Sequence, residues 1–393
     1  MITTPLTEAY VCEVAELEPT ARGVRPHRLP RWVREQFPDG QLLAMEAQPS
    51  GVRVALRTAA TTVELEIHPT RMAYPGIERS RGNVDVYVDG SLVAHDELTG
   101  GDAYVVDLAT GVTAYEPGPS HTTVVSGLPE GEHEFELWLP HNEALELVAL
   151  RSDAPVEPVR STWKRWLHHG SSISHGSNAT APSEIWPAVA ARRAGVDLVN
   201  LGLGGSALVD LFLARLIRDT EADVISVKLG INVVNLDAMR VRSFVPAVHG
   251  FLDTIRDGHP DTPLLLVSPI FCGIHESTPG PGAFDPAALG RGEIRFIATG
   301  DPSEVVQGRL TLEVIRRELA SLMERRASDP NLHFLDGLAL YGPQDAEELP
   351  LPDALHPGPE AHVLMGERFA ELVFGEGGVF AGASGSASSA GER

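Results

Sequence analysis

Cysteine is almost missing from this 393-residue chain: Cys12 and Cys272 are the only two, and they lie far apart. Two thiols are too few for a disulfide framework or a thiolate-held zinc site. Basic residues are also scarce, 31 against 54 acidic ones, for a formal charge of −23. A surface of that sign repels phosphate backbones, so nucleic acid is not an expected partner. It equally disfavours electrostatic docking on anionic lipid, and chiefly keeps the protein soluble. No apolar run is long enough to span a membrane. The opening MITTPLTEAYVCEVAEL lacks the basic start and apolar core of a secretory signal. A soluble cytoplasmic protein is the expectation. There is no internal repeat. Hydrophobic residues make up 43 % of the chain, enough for a sizeable core, and the length suits two or three domains of roughly 150 residues.

The first half alternates with period two. Val52, Val54 and Leu56 form one such run; Val63, Leu65 and Ile67 form another. Val84, Val86 and Val88 lead into Asp89-Gly90, a hairpin-type turn. Phe135, Leu137 and Leu139 alternate again, and Leu145 and Leu147 suggest one more strand. Several short strands with turn signals between them predict an antiparallel β-sandwich over 1–155. DAPVEPVR at 153–160 reads as a linker. The second half, 161–375, changes rhythm. Strand-like runs at 163–170, 197–203, 222–230, 262–270 and 332–340 alternate with helical runs near 184–194, 207–218, 241–256, 310–326 and 359–373. Five β-α units in series predict an α/β domain with a parallel sheet covered on both faces. The stretch 273–302 is rich in Gly and Pro and long for a connection, which raises the idea of a lid. Residues 377–393 are Gly/Ala/Ser-rich and read as a disordered tail.

In parallel sheets ligands bind beyond the carboxyl ends of the strands, so the polar residues just after each strand matter most. After the first strand comes Gly170-Ser171-Ser172-Ile173-Ser174. A serine at a strand-to-helix turn has an exposed hydroxyl beside free N–H groups, which suits a nucleophile; serine beside glycine is also ordinary loop chemistry. After the second strand comes Asn200-Leu201-Gly202-Leu203-Gly204-Gly205-Ser206. Its glycines let the backbone approach a ligand or simply make a tight turn, and their spacing is not the dinucleotide fingerprint. After the third comes Gly230-Ile231-Asn232, whose amide suits an oxyanion donor or a helix cap. After the fifth comes Asp353-Ala354-Leu355-His356-Pro357. Its i, i+3 spacing brings a carboxylate and an imidazole together across one turn, as triad chemistry requires, or makes a solvated loop pair. Together the four segments supply a nucleophile, a base with its orienting carboxylate, and three oxyanion donors on one rim. Trp186 and His175, near the nucleophile loop in sequence, suit either the pocket lining or, respectively, core packing and a solvated loop.

These residues resemble the SGNH hydrolases, also called the GDSL family. GSSIS resembles that family's first block, LGLGGS its second, LGIN its third and DALHP its last, across roughly 163–375. The resemblance implies a flavodoxin-like three-layer α/β/α domain, with Ser172 as nucleophile, His356 as base and then acid, and Asp353 as orienting carboxylate. It implies an oxyanion hole from the backbone N–H groups of Ser172 and Gly205 and the Asn232 side chain. The sequence departs from the pattern at Ser171, where the family name has Asp, at Ile173, where it has Leu, and at Val233, where many members have Asp. A β-sandwich ahead of such a domain also resembles two-domain carbohydrate esterases with an N-terminal jelly roll.

The expected function is a serine esterase that cleaves a small acyl ester, such as an O-acetyl group on a sugar or natural product, with no metal and no organic cofactor. Acyl transfer by the same residues is the alternative. A glycan-binding sandwich beside an inactive hydrolase domain is the reading from a different class, disfavoured because Ser172, Asp353, His356 and Asn232 are all present. The partner expected is a small-molecule or carbohydrate ester; oligomeric state is not legible.

Overall fold

The computed structural model describes residues 1–108 and 110–385. It divides into two compact units. The first comprises Met1–Thr162 with Thr180–Ser183, the second Trp163–Ala179 with Glu184–Arg393.

The first unit holds two sheets. An eight-stranded sheet centres on the long strand Thr62–Ala73, flanked by Ala144–Ser152, Asp102–Val106 and His121–Ser126. A six-stranded sheet centres on Arg53–Thr58, His133–Trp138 and Asn83–Val88. Among the described residues of this unit, pairing is antiparallel except between Thr62–Ala73 and Asp102–Val106, which run parallel. The alternating residues face one another across the two sheets: Val54, Leu56, Val84, Val86, Phe135 and Leu137 from one, Val63, Leu65, Ile67, Leu145 and Leu147 from the other. Each such side chain contributes about 1.5–3 kcal/mol on full burial. Asp89 and Gly90, at φ +50° and +78°, turn the chain between Asn83–Val88 and Ser91–Glu97, as a two-residue hairpin with both φ positive requires. Val156–Pro158, within the expected linker, instead adds a strand beside Arg53–Thr58. Thr180–Ser183 is held within this unit by Asp85, whose Oδ2 accepts from the Ser183 N–H (2.9 Å) and hydroxyl (2.6 Å).

In the second unit, β1 (Lys164–Gly170), β2 (Val196–Gly202), β3 (Val224–Lys228), β4 (Leu264–Val267) and β5 (Leu332–Leu335) form a parallel sheet in the order β2-β1-β3-β4-β5. That is the order of flavodoxin-like folds, with the switch point between β1 and β3. Strands β2, β3 and β4 are buried along their whole length, as strands of parallel sheets are. α1 (Ser172–His175) follows β1. Then come α2 (Trp186–Ala194), α3 (Leu211–Asp219), α4 (Ile231–Asn235), α5 (Val241–Gly258), α6 (Leu312–Arg325) and α7 (Pro359–Phe369). α2 packs with α7, while α5 packs with α3 and α6, so two helix groups cover the sheet. Trp166, Trp186 and Phe369 fill one of these layers, with ring centroids 5.0–6.2 Å apart.

Two expectations change. The 273–302 stretch is not structureless: Gly282–Phe284 pairs with Phe296–Ala298 as a hairpin, with the short helix Pro286–Leu289 at its tip. The tail is packed further than its composition suggests. Phe380 is buried against Phe374, and the Gly385 N–H donates to the Ala194 carbonyl. An apolar ring outweighs the local glycine content there; residues 386–393 lie outside the described residues. Among the described residues, no helix is long and apolar enough to cross a membrane, and no cluster of three or more His, Cys, Asp or Glu side chains suits a metal ion.

Candidate active site

The carboxyl ends of β1 and β2 lie side by side, with Gly170 opposite Gly202. Both positions require glycine. A Cβ at Gly170 would meet Ser174 Oγ at 2.3 Å, and one at Gly202 would meet His175 N at 2.4 Å. The absent side chains let α1 sit directly on the strand ends. Ser171 opens this one-turn helix by accepting from the Ile173 N–H, and Gly176 closes it at φ +111°. Ser172 therefore stands at its first residue, half-buried.

Buried polar side chains hold α1 from beneath. Asn200 donates to the Ser174 carbonyl (3.0 Å) and accepts from the Gly202 N–H (2.9 Å). His168 bridges the Ser174 and Ser226 hydroxyls at 2.8 and 2.7 Å. His175 Nδ1 bonds the Gly202 carbonyl and His362 Nε2 the Ser177 carbonyl. Burial holds the His168 imidazole well below its ordinary value, and pushes those of His169 and His362 down to about 4. These are neutral framework groups. Burial also pushes the Lys228 ammonium down to about 8. Trp186 is wholly buried against Trp166, His168 and Phe369, so it is core, and His175 is buried rather than solvated.

The Asp353-to-His356 turn comes down on the same rim. His356 Nε2 lies 2.9 Å from Ser172 Oγ, and His356 Nδ1 lies 2.7 Å from Asp353 Oδ2. Asp353 Oδ1 accepts the backbone N–H groups of Leu355 (2.9 Å) and His356 (2.7 Å). Asn178, at φ +70°, adds a longer contact to Oδ2 at 3.4 Å. Burial on its own raises the Asp353 carboxyl, but the His356 hydrogen bond and charge, with the two backbone donors, hold it below the usual carboxylate range. Ala354 between them takes φ +67°, a left-handed conformation that a non-glycine residue adopts only under constraint. The constraint is visible on both sides. The Phe296 N–H donates to the Asp353 carbonyl at 2.8 Å, and the Cys272 thiol to the Ala354 carbonyl at 3.5 Å.

The remaining expected donors lie on the segments that follow β2 and β3. Gly205 turns the loop after β2 at φ +69°, closed by the Ser206 N–H on the Leu203 carbonyl. Asn232, buried on α4, accepts the Ala207 N–H at its Oδ1 (3.1 Å), which ties the two loops together and leaves the amide nitrogen as the free end. Gly230, ahead of it, has φ +132°, and a Cβ there would meet Pro269 at 2.7 Å. The structure thus joins Ser172, His356 and Asp353 in one hydrogen-bonded line and Asn232 to the Gly205 loop in another. Sequence reasoning missed Asn178, His168 and Cys272. The paired histidines interrupting the apolar strand at 168–169 were a signal for the second; the other two carried none.

Residues 163–272 match the model of the GDSL-like lipase/acylhydrolase family, and residues 9–148 match that of the SsfX3 N-terminal domain. Apart from Thr180–Ser183, the first of these matches lies within the second unit, and it takes in β1 to β4. Along nearly its whole length the chain is similar to the salicylyl-acyltransferase SsfX3 from a tetracycline biosynthetic pathway. Identity is 27 % and the TM-score 0.75, covering 93 % of this chain and 95 % of that one. It shares its fold with a candidate GDSL-like lipase from Bacteroides ovatus ATCC 8483 (18 % identity, TM-score 0.65, 94 % and 95 % covered). It also shares it with a family two carbohydrate esterase from Clostridium thermocellum (16 %, 0.55, 83 % and 93 %). No curated protein matches the chain.

Proposed function

We propose that the protein is a serine esterase that cleaves a small acyl ester, such as an acetyl group on a sugar or natural-product alcohol, through an acyl-enzyme intermediate. The observation that carries this reading is the line from Asp353 through His356 to Ser172, with contacts of 2.7 and 2.9 Å. Ser172 Oγ attacks the ester carbonyl while His356 Nε2 takes its proton. Asp353 holds the Nδ1–H and stabilises the imidazolium that forms. The oxyanion is received by the N–H groups of Ser172 and Gly205 and by the Asn232 amide. His356 then protonates the leaving alcohol, and water, activated by the same imidazole, releases the acid. Each step moves one proton to or from His356, exchanged with Ser172, the leaving alcohol or water, so the scheme needs no metal or organic cofactor.

Acyl transfer to an alcohol other than water is the second reading. It is favoured by the full-length likeness, at 27 % identity, to a salicylyl-acyltransferase. The test is hydrolysis of p-nitrophenyl acetate, butyrate and octanoate by wild type and Ser172→Ala side by side, with and without an added acceptor alcohol. Turnover lost in the variant supports the serine mechanism. Turnover retained by it sinks the reading. New ester in place of free acid selects acyl transfer.

A further inference from the structure

Resting on that reading, we propose that Phe284 and Phe296 form an alcohol-side subsite for a leaving or accepting alcohol that carries a flat aromatic ring. Sheet order separates the two sides of the reacting ester. The oxyanion donors belong to the loops after β1, β2 and β3, at one end of the order β2-β1-β3-β4-β5. His356 follows β5, and the hairpin arises after β4. His356 Nε2 must deliver its proton to the alcohol oxygen, so the alcohol's substituent departs on the imidazole side, towards the hairpin.

The hairpin brings two rings to that side. Phe296 meets the His356 ring edge-on, with centroids 5.6 Å apart at 78°, and Phe284 lies against Phe296 at 5.1 Å and 33°. Phe284 remains 41 % exposed. The hairpin backbone that carries them is tied down. The Phe296 N–H is bonded to the Asp353 carbonyl, and the Asp285 N–H to the Arg295 carbonyl. Asp285 also caps the tip helix by accepting the Ala287 N–H. An open ring face beside a partner ring binds another ring in an offset or edge-on stack. Neither Phe offers a hydrogen bond, so a flat apolar ring is the group this wall selects.

The experiment compares kcat/KM for benzyl acetate and methyl acetate by acetate release. The acyl group is constant and both alcohols are weak acids, so the ratio reports recognition of the alcohol. Phe284→Ala, a change at a part-exposed position, is expected to lower the benzyl-to-methyl ratio about five- to tenfold, and Phe284→Trp to keep or raise it. A ratio within twofold of wild type in Phe284→Ala, in an enzyme whose activity requires Ser172, overturns the subsite alone. Activity that survives Ser172→Ala instead overturns the parent esterase reading.

Discussion

Asp353→Asn exchanges one carboxylate oxygen for a donor, and the surroundings decide which one. Oδ1 accepts two backbone N–H groups, those of Leu355 and His356, while Oδ2 accepts only the His356 Nδ1–H at short range. Turning the amide nitrogen towards the backbone would oppose donors at two sites, each conflict costing about 1–3 kcal/mol. Turning it towards the imidazole opposes one close donor and the long Asn178 contact at 3.4 Å, and the close conflict is relieved if His356 moves its proton from Nδ1 to Nε2. The variant therefore settles with an N–H rather than a lone pair facing Ser172 Oγ, 2.9 Å away. The fold is kept and the base is lost. The expected kcat for p-nitrophenyl acetate falls about 10⁴-fold, equivalent to roughly 5 kcal/mol of barrier, with KM and melting temperature little changed. Steady-state kinetics and a thermal melt on the same preparation decide it. A variant that keeps more than a tenth of wild-type kcat refutes the assignment of His356 as base and Asp353 as its orienting partner.

Three further outcomes are expected. Asn232→Ala should lower kcat by about 10²–10³ with a smaller change in KM; equal kcat would remove Asn232 from the oxyanion hole. Gly202→Ala places a Cβ 2.4 Å from His175 N, so α1 must shift. Stability should drop by about 1–3 kcal/mol and kcat by roughly 10², and a fully active variant would show that α1 needs no such seat. Stability should also depend on acid. His169 and His362 have folded values pushed down to about 4 against an ordinary 6.5, so between those values the unfolded chain binds more protons than the native one. Their contribution is fully present above about pH 6.5 and is lost as pH falls through 4, on the order of 3 kcal/mol for each. A melting temperature flat from pH 7 to 4.5 would contradict it.

Much of the fold was legible because its strands either alternate or run continuously apolar. Val52 to Ile67 showed the sandwich faces, and the apolar runs before Gly170, Gly202 and Asn232 showed the parallel sheet. Among the strands that escaped notice, Ser91–Glu97 and Thr113–Glu116 lie at sheet edges with mostly exposed side chains, so no burial pattern marks them. The hairpin in 273–302 is equally hidden. Its strands are three residues each, and it is held to the Asp353 turn by a backbone hydrogen bond that composition does not encode. The candidate site residues were legible by their positions after strands, and Ser172, His356 and Asp353 come together in one hydrogen-bonded line. Their supports were not, because Asn178, His168 and Cys272 act through tertiary contacts 6 to 175 residues away in sequence. Trp186 looked equally suited to pocket and core, and the choice rests on Trp166 and Phe369 closing around it.

The most direct measurement is covalent labelling of the intact protein by a fluorophosphonate probe, with the modified residue located by peptide mass spectrometry. The account expects one adduct, on Ser172, formed in wild type and lost or greatly slowed in His356→Ala. An adduct on another serine, or equal labelling of Ser172 without His356, would contradict the claim that His356 activates Ser172 as the nucleophile.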